Sequence, residues 1–215
     1  MSTARTEFLD HDAPEVAALV RRAGGDTPRE RAVRLYYAVR DGVRYEVFGA
    51  DLSRAGLRAS AVLRGGSGMC IHKSIVYAAA LRAAGVPSRL VFADVRNHLA
   101  SPRLRELVGG DLFTWHCLTA VRLDGRWVRA TPVFNRTLCR LFRIAPLEFD
   151  GAADSLHHPF DTQGRRHMEF VREHGEFDDV PFDRMVRGLR AAHPRLFATA
   201  TTLAAGSLVA APTRP

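Results

Sequence analysis

Apolar positions at helical spacing open the chain. Val16, Leu19 and Val20 share a face ahead of Gly24-Gly25, and Asp12 followed by Pro14 and Glu15 predicts a helix start. A stronger start follows at Thr27-Pro28-Arg29-Glu30, a capping box with proline at the first helical position. Val33, Leu35, Tyr36, Val39 and Val43 continue it at roughly helical spacing, which predicts a second helix to about Asp41-Gly42. From Val43 to Ala61 the periodicity fades, and the pattern predicts a short extended piece, VRYEVF, then an irregular loop. A glycine-rich run at Gly65-Gly66-Ser67-Gly68 leads into a segment starting near Cys70. Its Ile75, Val76, Ala79, Ala80, Leu81 and Ala83 are small and apolar on most sides, the mark of a buried helix. Gly85 ends that helix and Pro87 prevents its return.

The period then changes. Ser88 to Val95 reads as a buried strand, and Arg96 to Gly110 as a loop with a helical turn. WHCLTAVRL and RWVRATPVF flank an Asp124-Gly125 pair, the strongest hairpin signal in the chain. On its first strand Cys117, Thr119 and Val121 point one way, and His116, Leu118, Ala120 and Arg122 the other. A two-residue turn pairs Leu123 with Arg126 and Leu118 with Thr131, which sets His116 diagonally beside Thr131. Beyond Leu138 the signals mix: a helical turn at TLCRLFRI, a stop at Pro146, a loop rich in Asp and His, and a helix over 180–192. The segments predict an α+β fold in one domain, residues 1–195, with 196–215 a loosely held tail.

Composition narrows the class. At 215 residues, 47% hydrophobic and 25% charged, the chain suits one globular core. It has no apolar run of the about 18 residues that span a bilayer and no signal-peptide core, so a cytoplasmic protein without a membrane partner is expected. The net charge of +8 raises the question of nucleic acid. Yet Lys73 is the only lysine, and the arginines are scattered without a basic block or aromatic platform, which argues against a nucleic-acid partner. Three cysteines, Cys70, Cys117 and Cys139, are too few and too irregularly spaced for a disulfide framework or a cysteine-built zinc site.

One of the three stands where a nucleophile belongs. A thiol at a helix N-terminus faces unpaired N–H groups and the positive end of the helix dipole, so Cys70 is expected to favour the thiolate. The plainer alternative is a small buried hydrophobe, as Cys117 and Cys139 are expected to be. His116 opens a strand that can cross that helix start, which supplies the imidazole that cysteine acyl transfer requires. His72, two residues after Cys70, cannot share its helix face and is placed at a pocket rim. Asp94, Asn97 and His98 form a polar loop or a substrate-binding edge, with Asn97 the contact residue, and Trp115 is a core aromatic or a wall of the cleft. His157, His158 and His167 with Asp154 and Asp161 are metal-ligand types without a zinc-enzyme spacing.

Taken together, the motifs resemble the transglutaminase-like superfamily of the papain-like fold. They are GMC at Gly68 to Cys70, RAAGVP at Arg82 to Pro87, His116, Asp124-Gly125 and Trp127, and they span roughly residues 29–135. The resemblance implies a helical part bearing Cys70 packed on an antiparallel sheet bearing His116. It also implies a peptidase, amidase or transglutaminase reaction on a peptide, protein or small amide, through a thioester and without a cofactor. The sequence departs from the family where an aspartate is expected before the proline ending the return strand: Thr131 precedes Pro132. Thr131 or Asn135 is then the group that orients His116, with Asp150 a further candidate. The same departure also supports another reading, a weak or silent domain that keeps the cleft to bind peptides or proteins.

Overall fold

The computed structural model describes residues 3–98, 100–156 and 168–197. Helices α1 (Pro14–Ala23) and α2 (Pro28–Gly42) come first. The capping box of α2 forms as predicted: Thr27 Oγ1 accepts the Glu30 N–H at 3.1 Å, and the Glu30 carboxylate accepts the Thr27 N–H at 3.3 Å. The start of α1 differs from expectation. Its N-cap is Ala13, with no side-chain cap, because Asp12 turns away to accept from Arg5 Nε at 2.8 Å.

The stretch predicted as extended piece and loop holds more structure than its pattern shows. Strand β1 is only Arg44–Tyr45, and it pairs in parallel with β2 (Ser67–Gly68), placing Tyr45 opposite Gly68. Between them lies a helix the sequence reading missed, α3 (Ala59–Gly65). It is two turns long and has no side-chain cap to announce it.

Helix α4 (Cys70–Ala83) is the axis of the fold, buried from Cys70 to Arg82. Gly85, at φ 78°, closes it: Val86 N–H reaches Leu81 O at 2.8 Å and Gly85 N–H reaches Arg82 O at 2.9 Å. Arg82 pins this end, donating to Ala4 O at 2.7 Å, Ser88 O at 3.0 Å and Asp178 O at 2.6 Å. At the other end Lys73 Nζ donates to the carbonyls of Arg40 and Val43, terminating α2 with a fully buried amino group. Arg40 is also fully buried and donates to Asp41, Leu147 O and Glu148.

Four antiparallel strands lie across α4 in the order β5-β4-β3-β6. They are β3 (Ser88–Asn97), β4 (Leu112–Leu123), β5 (Arg126–Ala130) and β6 (Met168–Phe177). The predicted hairpin has its predicted register, Leu123 opposite Arg126 through Thr119 opposite Ala130. Cys117 and Val121 join the main core over α4, where Ser74 Oγ donates to Cys117 O at 2.9 Å and Thr119 Oγ1 to Ser74 O at 3.2 Å. Strand β6 is a second element the sequence reading missed. It pairs with β3 alone, and exposed Val171, Arg172 and Glu173 interrupt any apolar alternation.

Three short helices close one end. They are α5 (Pro102–Val108), α6 (Arg136–Phe142) and α7 (Phe182–Ala192), the last followed by a 3₁₀ turn at Pro194–Leu196. Residues 96–110, predicted as a loop with a helical turn, therefore extend β3 to Asn97 and form α5. Ser101 Oγ accepts the Leu104 N–H at 3.2 Å, and Pro102 opens the helix. Among the described residues no helix is long and apolar enough to cross a membrane. The tail from residue 198 lies outside the described residues.

Candidate functional site

Cys70 is the first residue of α4, carried there by the β1–β2 pair and by Gly68. A side chain at Gly68 would bring its Cβ within 2.5 Å of His72 Cβ, so only glycine lets the loop lie flat on the helix start. Gly68→Ala is expected to cost about 1–3 kcal/mol, read as a fall in the denaturation midpoint, and to displace Cys70, read as altered alkylation. A variant with the wild-type midpoint and alkylation rate would contradict this packing.

The Cys70 thiol is 5% exposed, and burial pushes its pKa up to about 11, against the pull of the backbone N–H groups of Cys117, Ile71 and Cys70 itself. The expectation of a thiolate favoured by the helix start alone is therefore corrected. Complete desolvation outweighs the N–H groups, and an ionised sulfur needs a further partner. The same N–H contacts fix the geometry, because Cys117 follows His116 on β4 and the sulfur lies against that strand.

His116 is buried and opposite Ala93 of β3. It lines a cavity of about 360 Å³ together with Cys70, Asn97 and Tyr45. On its other side it lines a small cavity of about 20 Å³ with Thr131, Val133, Leu147 and Leu156. Its position depends on a bulge. Ala93 pairs with His116 but Val95 with Phe113, so Thr114 and Trp115 together oppose Asp94. Trp115 takes φ 58°, costly for an aromatic residue, and the Asp94 carboxylate holds it there by accepting the Trp115 N–H at 3.1 Å. Asp94 also accepts His174 Nε2–H at 2.6 Å from a second bulge, on β6, and the His174 ring stacks on Trp115 at 4.2 Å.

The remaining sequence candidates are dispersed. Asn97 ends β3 in the large cavity, its N–H donating to Asp111 O at 2.9 Å. Thr131 is buried beside His116, and among the described residues no group hydrogen-bonds its Oγ1. Asn135 starts α6, where its Oδ1 accepts the Tyr45 N–H at 3.3 Å and ties β1 to that helix. Asp150 is far from these, folded into its own turn by accepting from Ala152 and Ala153 N–H. His72 lies on another face of α4, donating Nε2–H to Asp51 O at 2.9 Å in a different pocket. Trp115 is core and lines neither cavity; α7 passes so close that a Cβ on Gly188 would fall 2.0 Å from its Nε1.

Sequence reasoning missed Tyr45, whose ring meets Phe134 edge-on at 5.0 Å in the large cavity. Burial and the neighbouring Cys70 and Glu46 hold its hydroxyl well above the usual tyrosine range, so it remains a donor. Only the pairing of two-residue strands brings it to Cys70, a signal too short for periodicity to carry. Cys117 and Cys139 are buried, and burial raises both thiols. Among the described residues no three His, Cys, Asp or Glu side chains gather as metal ligands; His157, His158, Asp161 and His167 lie outside those residues.

A cysteine at the start of a buried helix, sharing a cavity with a histidine on the facing sheet, defines the class: an α+β, papain-like cysteine–histidine site. Residues 17–132, more than half of the chain, match the transglutaminase-like superfamily, and the chain belongs to it. That superfamily is in general one of cysteine-dependent enzymes. Similar solved structures include a candidate cysteine protease from Cytophaga hutchinsonii, at 11% identity and a TM-score of 0.45 over 81% of this chain and 52% of that one. A candidate protease from Parabacteroides distasonis aligns at 16% identity and a TM-score of 0.37, over 57% of this chain and 25% of that one. The chain thus spans about half the length of the first and a quarter of the second. No curated protein matches it.

Proposed function

We propose that the protein is an acyl-transfer enzyme in which Cys70 attacks an amide or ester carbonyl and forms a thioester. The observation that carries this is the shared cavity: Cys70, His116 and the protonated Tyr45 hydroxyl face one space, with backbone N–H groups around the sulfur. The Cys70 proton passes to His116, and the sulfur adds to the carbonyl carbon. The oxyanion takes hydrogen bonds from the Cys70 N–H and the Tyr45 hydroxyl. When the carbonyl re-forms, the bond to the leaving amine or alcohol breaks and His116 returns the proton to it. Water or an amine, deprotonated by His116, then releases the acyl group. Both outcomes use the same residues.

Thr131 takes the place of the acid. The small cavity lined by both residues is large enough for one water, which would link the Thr131 hydroxyl to the imidazole. Thr131→Val is expected to lower turnover by about 10- to 100-fold and to leave stability unchanged or raise it by about 1 kcal/mol, since the buried hydroxyl has no partner among the described residues. Unchanged turnover in that variant would remove Thr131 from the mechanism.

The direct test is trapping. Brief exposure to p-nitrophenyl acetate followed by acid quench should add one acetyl mass to the intact protein, mapped to Cys70 and absent in Cys70→Ala. Absence of the adduct, together with an alkylation rate indifferent to His116, would favour a silent cleft that binds peptides or proteins.

A further inference from the structure

We infer that the acyl group accepted at Cys70 is neutral and apolar and extends into the large cavity away from His116. The inference rests on the acyl-transfer reading for its chemistry and on the cavity wall for its content. Charged residues make up 25% of the chain, yet none of the described residues lining this cavity is Asp, Glu, Lys or Arg. Its sides are Val95 and Phe113 from the sheet, Leu104 and Val108 from α5, Leu138 from α6 and Leu189 from α7.

The one further histidine in the wall is used up internally. His193 Nε2 accepts the Thr114 N–H at 3.0 Å, so Nδ1 carries the proton and donates to Val108 O at 2.7 Å. Both ring nitrogens are occupied in the neutral tautomer, and burial lowers the pKa, which keeps the ring uncharged. A charged chain end entering this space beyond His116 would leave water without meeting a counter-charge from any other described lining residue.

The mouth repeats the pattern. Leu141 and Phe142, at the end of α6, both line the cavity while 52% and 41% exposed. They are two of the four large apolar side chains that the described residues expose, the others being Phe170 and Val171 on β6. Exposed apolar residues grouped at the entrance of an apolar cavity mark the path of an apolar ligand. The volume of about 360 Å³ falls at the lower end of the roughly 300–1,000 Å³ of small-molecule pockets. That suits a medium-chain acyl group or one large apolar amino-acid residue.

The test compares p-nitrophenyl esters of acetate, propionate, butyrate, pentanoate and octanoate with the p-nitrophenyl monoester of glutaric acid, which matches pentanoate in length but ends in a carboxylate. Expected is a rise in kcat/KM of about fourfold per added methylene until the cavity fills, with the glutarate ester at least about 100-fold below pentanoate. A flat series, or a glutarate ester as good as pentanoate, overturns the inference; acylation of Cys70 in that experiment leaves the nucleophile reading intact. A second arm needs no chemistry. Cys70→Ala should bind octanamide at least about tenfold more tightly than 8-aminooctanamide. Equal binding, or none, overturns the inference, whereas selective octanamide binding without acylation by any ester upholds the apolar character of the cavity's ligand and removes the nucleophile reading. Leu141→Glu, a surface change, should lower the octanoate-to-acetate ratio at least about fivefold; an unchanged ratio counts against the inference.

Discussion

Replacing His116 with alanine is expected to slow alkylation of Cys70 by iodoacetamide by about 10²- to 10⁴-fold at pH 7. Burial pushes the Cys70 thiol up to about 11 in the intact protein, with His116 in place. A thiol of that pKa without a partner is ionised in about one molecule in 10⁴ at neutral pH. On the proposed mechanism the wild-type proton passes to His116, which lines the same cavity, as the sulfur attacks. The pH profile separates this from a steric effect. The variant should gain about tenfold per pH unit from pH 7 toward 11 and there approach the wild type, whereas the wild type should already be reactive near pH 7. A variant that reacts at the wild-type rate at pH 7 would end the dyad proposal. On that mechanism the burial that makes the sulfur inert alone also makes it selective, since it reacts only where the imidazole is in position to take its proton.

The second large effect concerns the single lysine and the stability of the fold. Burial lowers the Lys73 pKa from 10.5 to about 7, with the charge of Asp41 opposing and that of Arg40 assisting. A folded pKa below the unfolded one means that the unfolded chain binds the extra proton between those two values. The associated stability is therefore complete above pH 10.5 and lost as pH falls toward and through 7, about 5 kcal/mol in total at ~1.4 kcal/mol per unit. Thiols bring the opposite trend at alkaline pH. Cys70 and Cys139 are raised from 9.0 to about 11, and Cys117 is raised also, so they withdraw stability above pH 9. Maximal stability is expected near pH 9, measured by urea unfolding at unit steps from pH 6 to 10. Lys73→Met should flatten the limb from pH 7 to 9. It should also cost about 1–3 kcal/mol at pH 9, because the Arg40 and Val43 carbonyls lose their donor. A wild-type profile flat from 7 to 9, or a variant retaining the slope, would contradict the assignment.

Local chemistry made part of this fold legible. The capping box of α2, the glycine stop of α4 and the Asp-Gly turn each depend on neighbours within a few residues, and each formed where the sequence put it. Cys70 and His116 could be named as candidates for the same reason, Cys70 at a helix start and His116 at an expected strand start, although β4 begins four residues earlier, at Leu112. Distance hid the rest. β6 pairs only with β3, some 70 residues away, and its exposed side leaves no periodic signature. The bulge at Thr114–Trp115 is held by the carboxylate of Asp94 on another strand, so no pattern within β4 announces it. The cavity wall gathers Tyr45, Phe134 and Leu189 from three remote segments, and only packing brings them together. The thiolate expectation failed differently: the helix start was placed correctly, but desolvation is a property of the whole core and is absent from the local motif.

The wall and the reactive pair are built from different stock. Cys70 and His116 belong to the largely buried α4 and β4, whereas part of the cavity wall and the rim at Leu141 and Phe142 come from α5 and α6, two helices of only seven residues each. Those short helices bury three and two side chains, while α4 buries thirteen. Under mutational drift the range of molecules admitted should therefore change long before the reacting atoms do, and homologues with the same pair can diverge in diet while keeping one chemistry.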